Sequence, residues 1–227
     1  MHHQSIKNKM KKTIFLFVAC WLILAVTKAQ DGSAGQLQTA VGKLDQANSV
    51  KDYQLLADEF KGIADQQKNA WLPFYYAGFC NAKIGWLYQR DGDNIEPFAD
   101  KAEEEIRKAL SLIDTAVQKK ELSEIYCVLS MVNRDRVFIN PMSFGSQYGP
   151  VAGRYTQLAM KENPNNPRAY WLAGWEKYAT PKLWGGSKTK AKELLGTAQK
   201  QLEAASSTGI APHWGRKEVE ELLNELK

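Results

Sequence analysis

Residues 166–195, NPRAYWLAGWEKYATPKLWGGSKTKAKELL, contain two predicted helices and the turn between them. Apolar residues recur at helical spacing on both sides of the segment from Pro181 to Gly186, whose proline and glycines are typical of a turn. Ser187 stands where the second helix begins, and serine is a favoured residue at the N-cap of a helix. The stretch therefore predicts a helix, a long turn and a second helix.

The glycines and lysines of this turn raise the question of a phosphate site. A phosphate loop of the Walker type requires G-x-x-x-x-G-K-[ST] after a buried strand, whereas Gly185 and Gly186 are adjacent and follow a predicted helix. Lysines at positions 188, 190 and 192 oppose the dipole at the start of the second helix and could indicate a bound anion there. The favoured interpretation is structural: this segment turns the chain and begins the second helix, and anion binding is the alternative.

An arrangement of small residues recurs along the chain. One helix of each predicted pair carries a small residue near its middle, at Gly78, Ser130 and Gly174. The helix that follows repeats the pattern small-x3-large-x2-small, and small residues on both partners allow two helices to approach closely. The second pattern is formed by Ala102, Ile106 and Ala109, by Ala152, Thr156 and Ala159, and by Ala191, Leu195 and Ala198.

Helical periodicity extends through most of the chain, and no segment alternates convincingly as a strand would. Turn residues separate the helices, as in the segments Asp91 to Asn94, Asn140-Pro141, Asn163 to Pro167 and Thr208-Gly209. The last helix has one apolar stripe and a polar back, which suits the open end of a stack of helix pairs. The predicted helices span residues 36–47, 51–66, 69–90, 97–113, 118–138, 150–162, 167–180, 188–204 and 216–226.

These residues resemble the tetratricopeptide repeat, in which the first helix carries a glycine and the second carries alanine, a large apolar residue and alanine. The repeats are divergent, because the connections between the paired helices are longer than in a regular repeat. Residues 166–195 and the closing PHWG also resemble a group of secreted tetratricopeptide-like proteins of Bacteroidetes type, most of which have no assigned activity. The resemblance implies an all-α fold, an irregular TPR-like array of antiparallel helix pairs with a C-terminal capping helix.

The first 29 residues are typical of a secretory signal peptide. Lysines precede an apolar run from Ile14 to Val26, and the small residue Ala29 ends the segment. This segment carries five lysines and no acidic residue, so its removal takes the formal net charge from +5 to zero. A neutral mature chain gives no support for a nucleic-acid or anionic membrane partner. The sequence predicts a signal peptide over 1–29, a single helical domain over 30–227, and a periplasmic or otherwise exported protein with no stable membrane span.

Catalytic and metal-binding groups are scarce in the mature chain. His213 is its only histidine, which argues against a histidine-based metal site and against a Ser-His-Asp triad. Cys80 and Cys127 either pair with each other in an oxidising compartment or remain free and buried. The sequence therefore predicts a protein that is not an enzyme and that uses neither a metal nor a cofactor.

Aromatic residues are the candidates for a binding surface, because arrays of this type present particular positions of each first helix on a concave face. An aromatic groove flanked by basic residues would suit an extended peptide or a partner helix. Stripes at this spacing are more often core, so burial is the favoured alternative. The candidate partner-binding or ligand-binding residues are Tyr75, Phe79, Lys83, Met131, Arg134, Trp171, Trp175 and Tyr178.

Two hypotheses of function follow from this pattern. The first is a non-enzymatic interaction module that binds a protein or peptide partner on its concave face. The second is a periplasmic component of a solute-transport system, in which the aromatic stripe binds a small molecule. An open groove at Tyr75, Phe79, Trp171 and Trp175 would favour the first hypothesis and an enclosed cavity the second, whereas complete burial would support neither choice of site.

Overall fold

A computed structural model describes residues 35–205 and 209–227 of the chain. Within these ranges the protein is all-α, as predicted, and contains no strand. The predicted signal peptide and Thr208 of the last predicted turn lie outside the described residues. The helices are α1 (35–44), α2 (Val50–Gln66), α3 (Trp71–Leu87), α4 (Glu96–Ser111), α5 (Lys119–Ile139), α6 (Pro141–Glu162), α7 (Pro167–Ala179), α8 (Lys188–Ala204) and α9 (Arg216–Glu225).

Successive helices pack as pairs, and the pairs stack on one another. The most extensive contacts between helices are those of α5 with α6, α3 with α4, α2 with α3 and α7 with α8. Lys43 of α1 reaches Glu59 of α2 at 2.7 Å, and α9 lies against α7 and α8 at the end of the stack. This is the predicted array with its terminal helix. No helix in the two described ranges is long and apolar enough to cross a membrane.

The small residues of the sequence pattern lie at the contacts between paired helices. A Cβ added to Gly78 would come within 3.1 Å of the carbonyl oxygen of Ala102, and one added to Gly174 within 2.8 Å of Cγ of Leu195. In the pair between them, the Ser130 hydroxyl donates to the carbonyl of Ala152 at 2.9 Å. The spacing of small residues therefore predicted which turn of one helix faces which turn of the next.

The turn between α7 and α8 is built as its sequence indicates. Ser187 is the N-cap of α8, and its hydroxyl accepts a hydrogen bond from the backbone N–H of Lys190 at 3.2 Å. Gly185 has φ +90°, a left-handed conformation that side-chain-bearing residues rarely adopt. Between them, Gly186 leaves no room for a Cβ beside the carbonyl of Thr180. The two glycines are thus required by the path of the chain.

Helix α6 is longer than the sequence predicts, since it begins at Pro141 and not at Pro150. Asn140 caps it by accepting from the N–H of Ser143, and Pro150 lies inside the helix. A proline usually marks the start or the end of a helix, which is why residues 141–149 were expected to be a loop. Packing of half-buried Tyr148 under the guanidinium of Arg136, 5.6 Å above its ring, holds this extra length in place.

Candidate functional site

The residues predicted to line an open concave groove lie on α3, α5 and α7, and five of the eight, Arg134 and four apolar or aromatic side chains, are buried. Tyr75 and Met131 are 0% exposed, Phe79 is 1% exposed and Trp171 is 3% exposed. Burial, the favoured alternative for the aromatic stripe, is what the structure shows for these four side chains, so they support neither an open groove nor an enclosed ligand site. All four belong to the hydrophobic core, and another part of the chain packs against Tyr75, Phe79 and Trp171.

The C-terminal segment, residues 209–215, supplies that cover. The ring of Trp214 stacks on Phe79, with centroids 4.7 Å apart, and meets Trp171 edge-on at 5.8 Å. Its indole N–H donates to the hydroxyl of Tyr75 at 2.8 Å. Nearby, the Tyr76 hydroxyl donates to the carbonyl of Ile210 at 2.8 Å. One tryptophan of the chain thus occupies the place that a bound peptide was expected to take.

A buried ion pair supports this segment from below. The guanidinium of Arg168 on α7 donates to both carboxylate oxygens of Glu124 on α5, at 2.6 to 2.9 Å, and also to the carbonyl of Trp214 at 3.3 Å. Tyr75 donates to the same carboxylate at 3.1 Å. Burial, reinforced by the charge of Glu124, raises the pKa of Tyr75 well above its ordinary value. The phenol is therefore a neutral donor at physiological pH and has a structural role.

Helix α9 continues the closure. Lys83 of α3 pairs with Glu218 of α9 at 2.7 Å, and both side chains are largely buried. Burial opposes both charges, but the pairing outweighs it, so the pKa of Lys83 is raised and that of Glu218 is lowered. Lys83, a predicted binding residue, instead ties the last helix to the first half of the chain. Neither Trp214 nor Glu218 was a candidate, although the tryptophan in PHWG, set in a polar segment, was a usable signal.

Aromatic rings also gather where α3, α5 and α7 end. Trp86 lies 4.8 Å from Trp175 and 5.0 Å from Trp171, centroid to centroid, and Phe138 meets Trp86 and Trp175 at 5.6 Å. The guanidinium of Arg134 lies 5.1 Å from the Trp175 ring and pairs with Glu176. Trp175 keeps some exposed surface, whereas Arg134 is only 6% exposed. These two predicted residues do lie together, at the edge of the concave face.

Tyr178 is the predicted residue that borders open space. It is half-buried, its hydroxyl donates to Glu225 of α9 at 2.7 Å, and the ammonium of Lys188 lies 6.0 Å from its ring centroid. Beside it, an open cleft of about 530 Å³ separates the start of α8 from the end of α9. Three ammonium groups and one apolar side chain are among the residues that line this cleft: Lys188, Thr189, Lys192, Glu193, Glu225, Leu226 and Lys227.

The histidine and the two cysteines that the structure describes lie away from this end of the molecule. The His213 ring contacts Asp45 at 2.8 Å and the carbonyl of Ala211 at 2.9 Å, near the start of α3. Since Tyr178 and the cleft lie at the far end of α7, about 20 Å of helix separates the two regions. Cys80 and Cys127 are free and buried, so the two thiols are not joined.

Comparison with known proteins gives one informative similarity. No family model and no curated protein sequence matches the chain. Among solved structures, the HusA haemophore from Porphyromonas gingivalis, a member of the Bacteroidetes, matches with a TM-score of 0.73 and 31% sequence identity. The match covers 84% of this chain and 90% of HusA, and it is to a binding protein and not to an enzyme. An identity of 31% over nearly the whole of both chains shows that the protein belongs to the same family as HusA.

Proposed function

We propose that the protein is an exported carrier that binds haem or a closely related tetrapyrrole and catalyses no reaction. Residues 1–29 would direct its export, and residues 30–227 would form the single binding domain. The observation that carries this proposal is the kinship with a haemophore over nearly the whole length of both chains. This kinship favours the small-molecule hypothesis over the peptide hypothesis, although the buried aromatic residues Tyr75, Phe79 and Trp171 are the site of neither.

The cleft between α8 and α9 is the proposed site. A tetrapyrrole such as haem combines a flat apolar ring with two carboxylates, so it calls for an apolar or aromatic wall beside cationic groups. Leu226 offers an apolar wall, the ring of Tyr178 lies beside the cleft, and Lys188, Lys192 and Lys227 offer ammonium groups on the rim. Because the cleft is open, a ligand there would stay partly exposed and could pass to a second protein, as a carrier requires.

The chemistry of the site favours recognition of the ring and its carboxylates over histidine ligation of iron. His213 is held by Asp45 at the other end of α7. No side chain of a type that holds haem iron in proteins lines the cleft within the described residues, and Tyr178 lies beside it, hydrogen-bonded to Glu225. Its hydroxyl donates to Glu225, and this hydrogen bond raises the pKa of Tyr178 and so favours the protonated phenol. Because the ring and its carboxylates are the groups that the site would recognise, metal-free porphyrin should bind with an affinity close to that of haemin.

Absorbance titration of the 30–227 chain with haemin and with metal-free protoporphyrin tests the proposal. We expect a saturable shift of the Soret band with both ligands, and a loss of affinity of about 10-fold or more in K188A/K192A, because two charge-assisted contacts to carboxylates disappear. The charge-matched control is K120A/K200A, which removes two exposed lysines remote from the cleft and should bind as the unmodified chain does.

Three outcomes would distinguish the parts of the proposal. Absence of saturable binding to either ligand would overturn the function. Equal affinity of K188A/K192A and K120A/K200A would retain the function but place the site elsewhere. A spectrum that changes in H213A, relative to the unmodified chain, would show that the remote histidine reaches the iron and would contradict the assignment of the cleft.

A further inference from the structure

Two large apolar side chains project into solvent from the turn between α7 and α8. Leu183 is 89% exposed and Trp184 is 75% exposed, and both belong to the short 3-10 helix Lys182–Trp184. A single exposed leucine is ordinary on a protein surface, but a neighbouring leucine and tryptophan with so little cover place a large apolar area in water. We call residues 181–187 the apolar turn.

The apolar turn holds these side chains outward by its own hydrogen bonds. The backbone N–H groups of Trp184 and Gly186 both donate to the carbonyl of Pro181, at 2.9 and 3.1 Å. The N–H of Ser187 donates to the carbonyl of Lys177 at 2.8 Å, and the Lys177 ammonium donates to the carbonyl of Gly185 at 3.1 Å. The turn is therefore fastened to the ends of both helices, and exposure of its tip is a built feature.

Positive charge surrounds the tip. The stretch from Lys177 to Lys192 carries five lysines and no acidic residue, although the mature chain as a whole is formally neutral. Within the described ranges, Lys190 pairs with Glu193, whereas Lys182, Lys188 and Lys192 form no ion pair. The net charge of residues 30–227 gave no hint of this, because acidic residues elsewhere in that range cancel the local excess.

We propose that the apolar turn docks the protein onto an anionic phospholipid surface. Trp184 and Leu183 would enter the interfacial layer of the bilayer, where amphipathic aromatic rings are favoured, and the lysines would lie among the phosphates. Lysines near an anionic surface each add to the attraction, so several of them with two apolar side chains suffice for reversible binding. Attachment of this kind is peripheral, in agreement with the lack of a spanning helix in the described ranges.

The type of cation favours a lipid surface over a pocket in another protein. All five basic residues of the stretch are lysines, whose ammonium groups on flexible stems suit a fluid array of phosphates. Arginine, with its planar fork of donors, is the residue that fixed carboxylates in a protein interface favour. Leu183 and Trp184, on which the docking proposal is tested, lie outside the cleft lining, whereas Lys188 and Lys192 belong to both the cleft and the charged surroundings of the turn.

Co-sedimentation of the 30–227 chain with lipid vesicles tests this docking. We expect binding to vesicles of phosphatidylglycerol and phosphatidylcholine, little binding to phosphatidylcholine alone, and a decrease with added salt. L183S/W184S should lose about 10-fold or more in vesicle affinity. The matched control is L55S/V117S, which removes two other exposed apolar side chains, 61% and 74% exposed, on other faces and should sediment as the unmodified chain does.

Two results would overturn the proposal. The first is no association of the unmodified chain with anionic vesicles. Binding of the turn to a protein pocket would not rescue the proposal in that case. The second is equal vesicle binding by L183S/W184S and L55S/V117S. Circular dichroism of both variants should match the unmodified chain, because all four side chains are exposed. Haemin titration of L183S/W184S reports on the carrier function separately.

Discussion

Asp135 is a carboxyl group with no partner in the middle of the protein. It is 0% exposed, and neither of its side-chain oxygens has a hydrogen-bond partner among the described residues. Gly85 lies so close to it that a Cβ there would overlap the carboxyl. Burial raises the pKa of Asp135 well above its ordinary value, although the charges of Arg136 and Lys83 act in the opposite direction. The group is therefore held in its neutral form.

This protonation predicts how stability depends on pH. The folded chain keeps a proton on Asp135 that the unfolded chain releases above about pH 4, so raising the pH favours unfolding through this residue. Asp135→Asn mimics the neutral acid. We expect the variant to be more stable than the unmodified chain at pH 7 to 8, by at least about 1 kcal/mol, and the difference to vanish near pH 4. Urea denaturation at several pH values measures it.

Asp58→Asn is the control for this pH dependence, because Asp58 is exposed on α2. It should change stability by less than about 0.5 kcal/mol at any pH. A constant difference between Asp135→Asn and the unmodified chain from pH 4 to pH 8 would mean that Asp135 is ionised in the folded protein, and would contradict the assigned direction of its pKa.

The two buried thiols give a second prediction at the scale of single residues. Burial raises the pKa of Cys80 and, with the added charge of Glu124, that of Cys127. Reaction with a thiol reagent requires the thiolate and access to it, so neither cysteine of the folded 30–227 chain should react within minutes. Both should react after unfolding without a reductant. Recovery of fewer than two thiols in the unfolded chain would reveal a disulfide.

At the scale of elements, the C-terminal segment depends on Trp214. Truncation of Trp214 to alanine removes the stacking on Phe79 and the hydrogen bond to Tyr75, and we expect a loss of about 3 kcal/mol in the free energy of unfolding. Trp214→Phe keeps an aromatic ring and should lower the free energy of unfolding by less. The expected loss is about 1 kcal/mol in addition to small packing changes, because the Tyr75 hydroxyl loses its donor. Thermal denaturation ranks the variants.

Trp184→Ala is the matched control, because it removes the same side chain from an exposed turn. Its effect should stay within about 0.5 kcal/mol. If Trp214→Ala were equally harmless, the closure of the concave face would add nothing to stability, and the hypothesis of an open groove for a peptide would regain its support.

At the start of helix α8, Ser187 has a structural role, whereas the nearby lysines contribute only charge. Ser187 caps the helix, so Ser187→Ala should lower stability by about 1 kcal/mol. Lys188, Lys190 and Lys192 are exposed and oppose the helix dipole, so K188A/K190A/K192A should leave the melting temperature unchanged or raise it slightly. A large loss of stability in the triple variant would show that the lysines hold the turn and would undermine their assignment to ligand and lipid.

Helix pairing was predictable from sequence because its signals are local. Small residues at Gly78, Ser130 and Gly174 each face a small residue on the next helix. The two helices of each pair and the turn that joins them are contiguous in the sequence. The first part of α6 was missed for a related reason. Its sequence contains two glycines and ends at Pro150, which disfavours a helix, and only contacts with another helix, such as Arg136 over Tyr148, outweigh that preference.

At the scale of the whole molecule, the closed concave face was beyond reach of sequence patterns. Trp214 and Tyr75 are 139 positions apart, and Lys83 and Glu218 are 135 apart. Helical spacing identifies one face of a helix but not which distant segment covers it. The candidate list was taken from one face of each first helix, and helical spacing alone could not separate a groove from the core that Tyr75, Phe79, Met131 and Trp171 form. Tyr178 stays partly exposed to solvent because it lies beside Glu225, where α9 ends.

The proposed site makes the effect of a ligand on the whole molecule predictable. The cleft is formed by the start of α8 and the end of α9, so a ligand in contact with both would hold the last helix to the array. At a concentration 100 times its dissociation constant, such a ligand stabilises the folded state by about 2.7 kcal/mol. In hydrogen exchange, haemin should therefore slow exchange in α9 more than in α2, which lies far from the cleft along the stack. Stronger protection of α2 and α3 would mean that haemin binds at the other end of the array, whereas a melting temperature unchanged by excess haemin would contradict the carrier function itself.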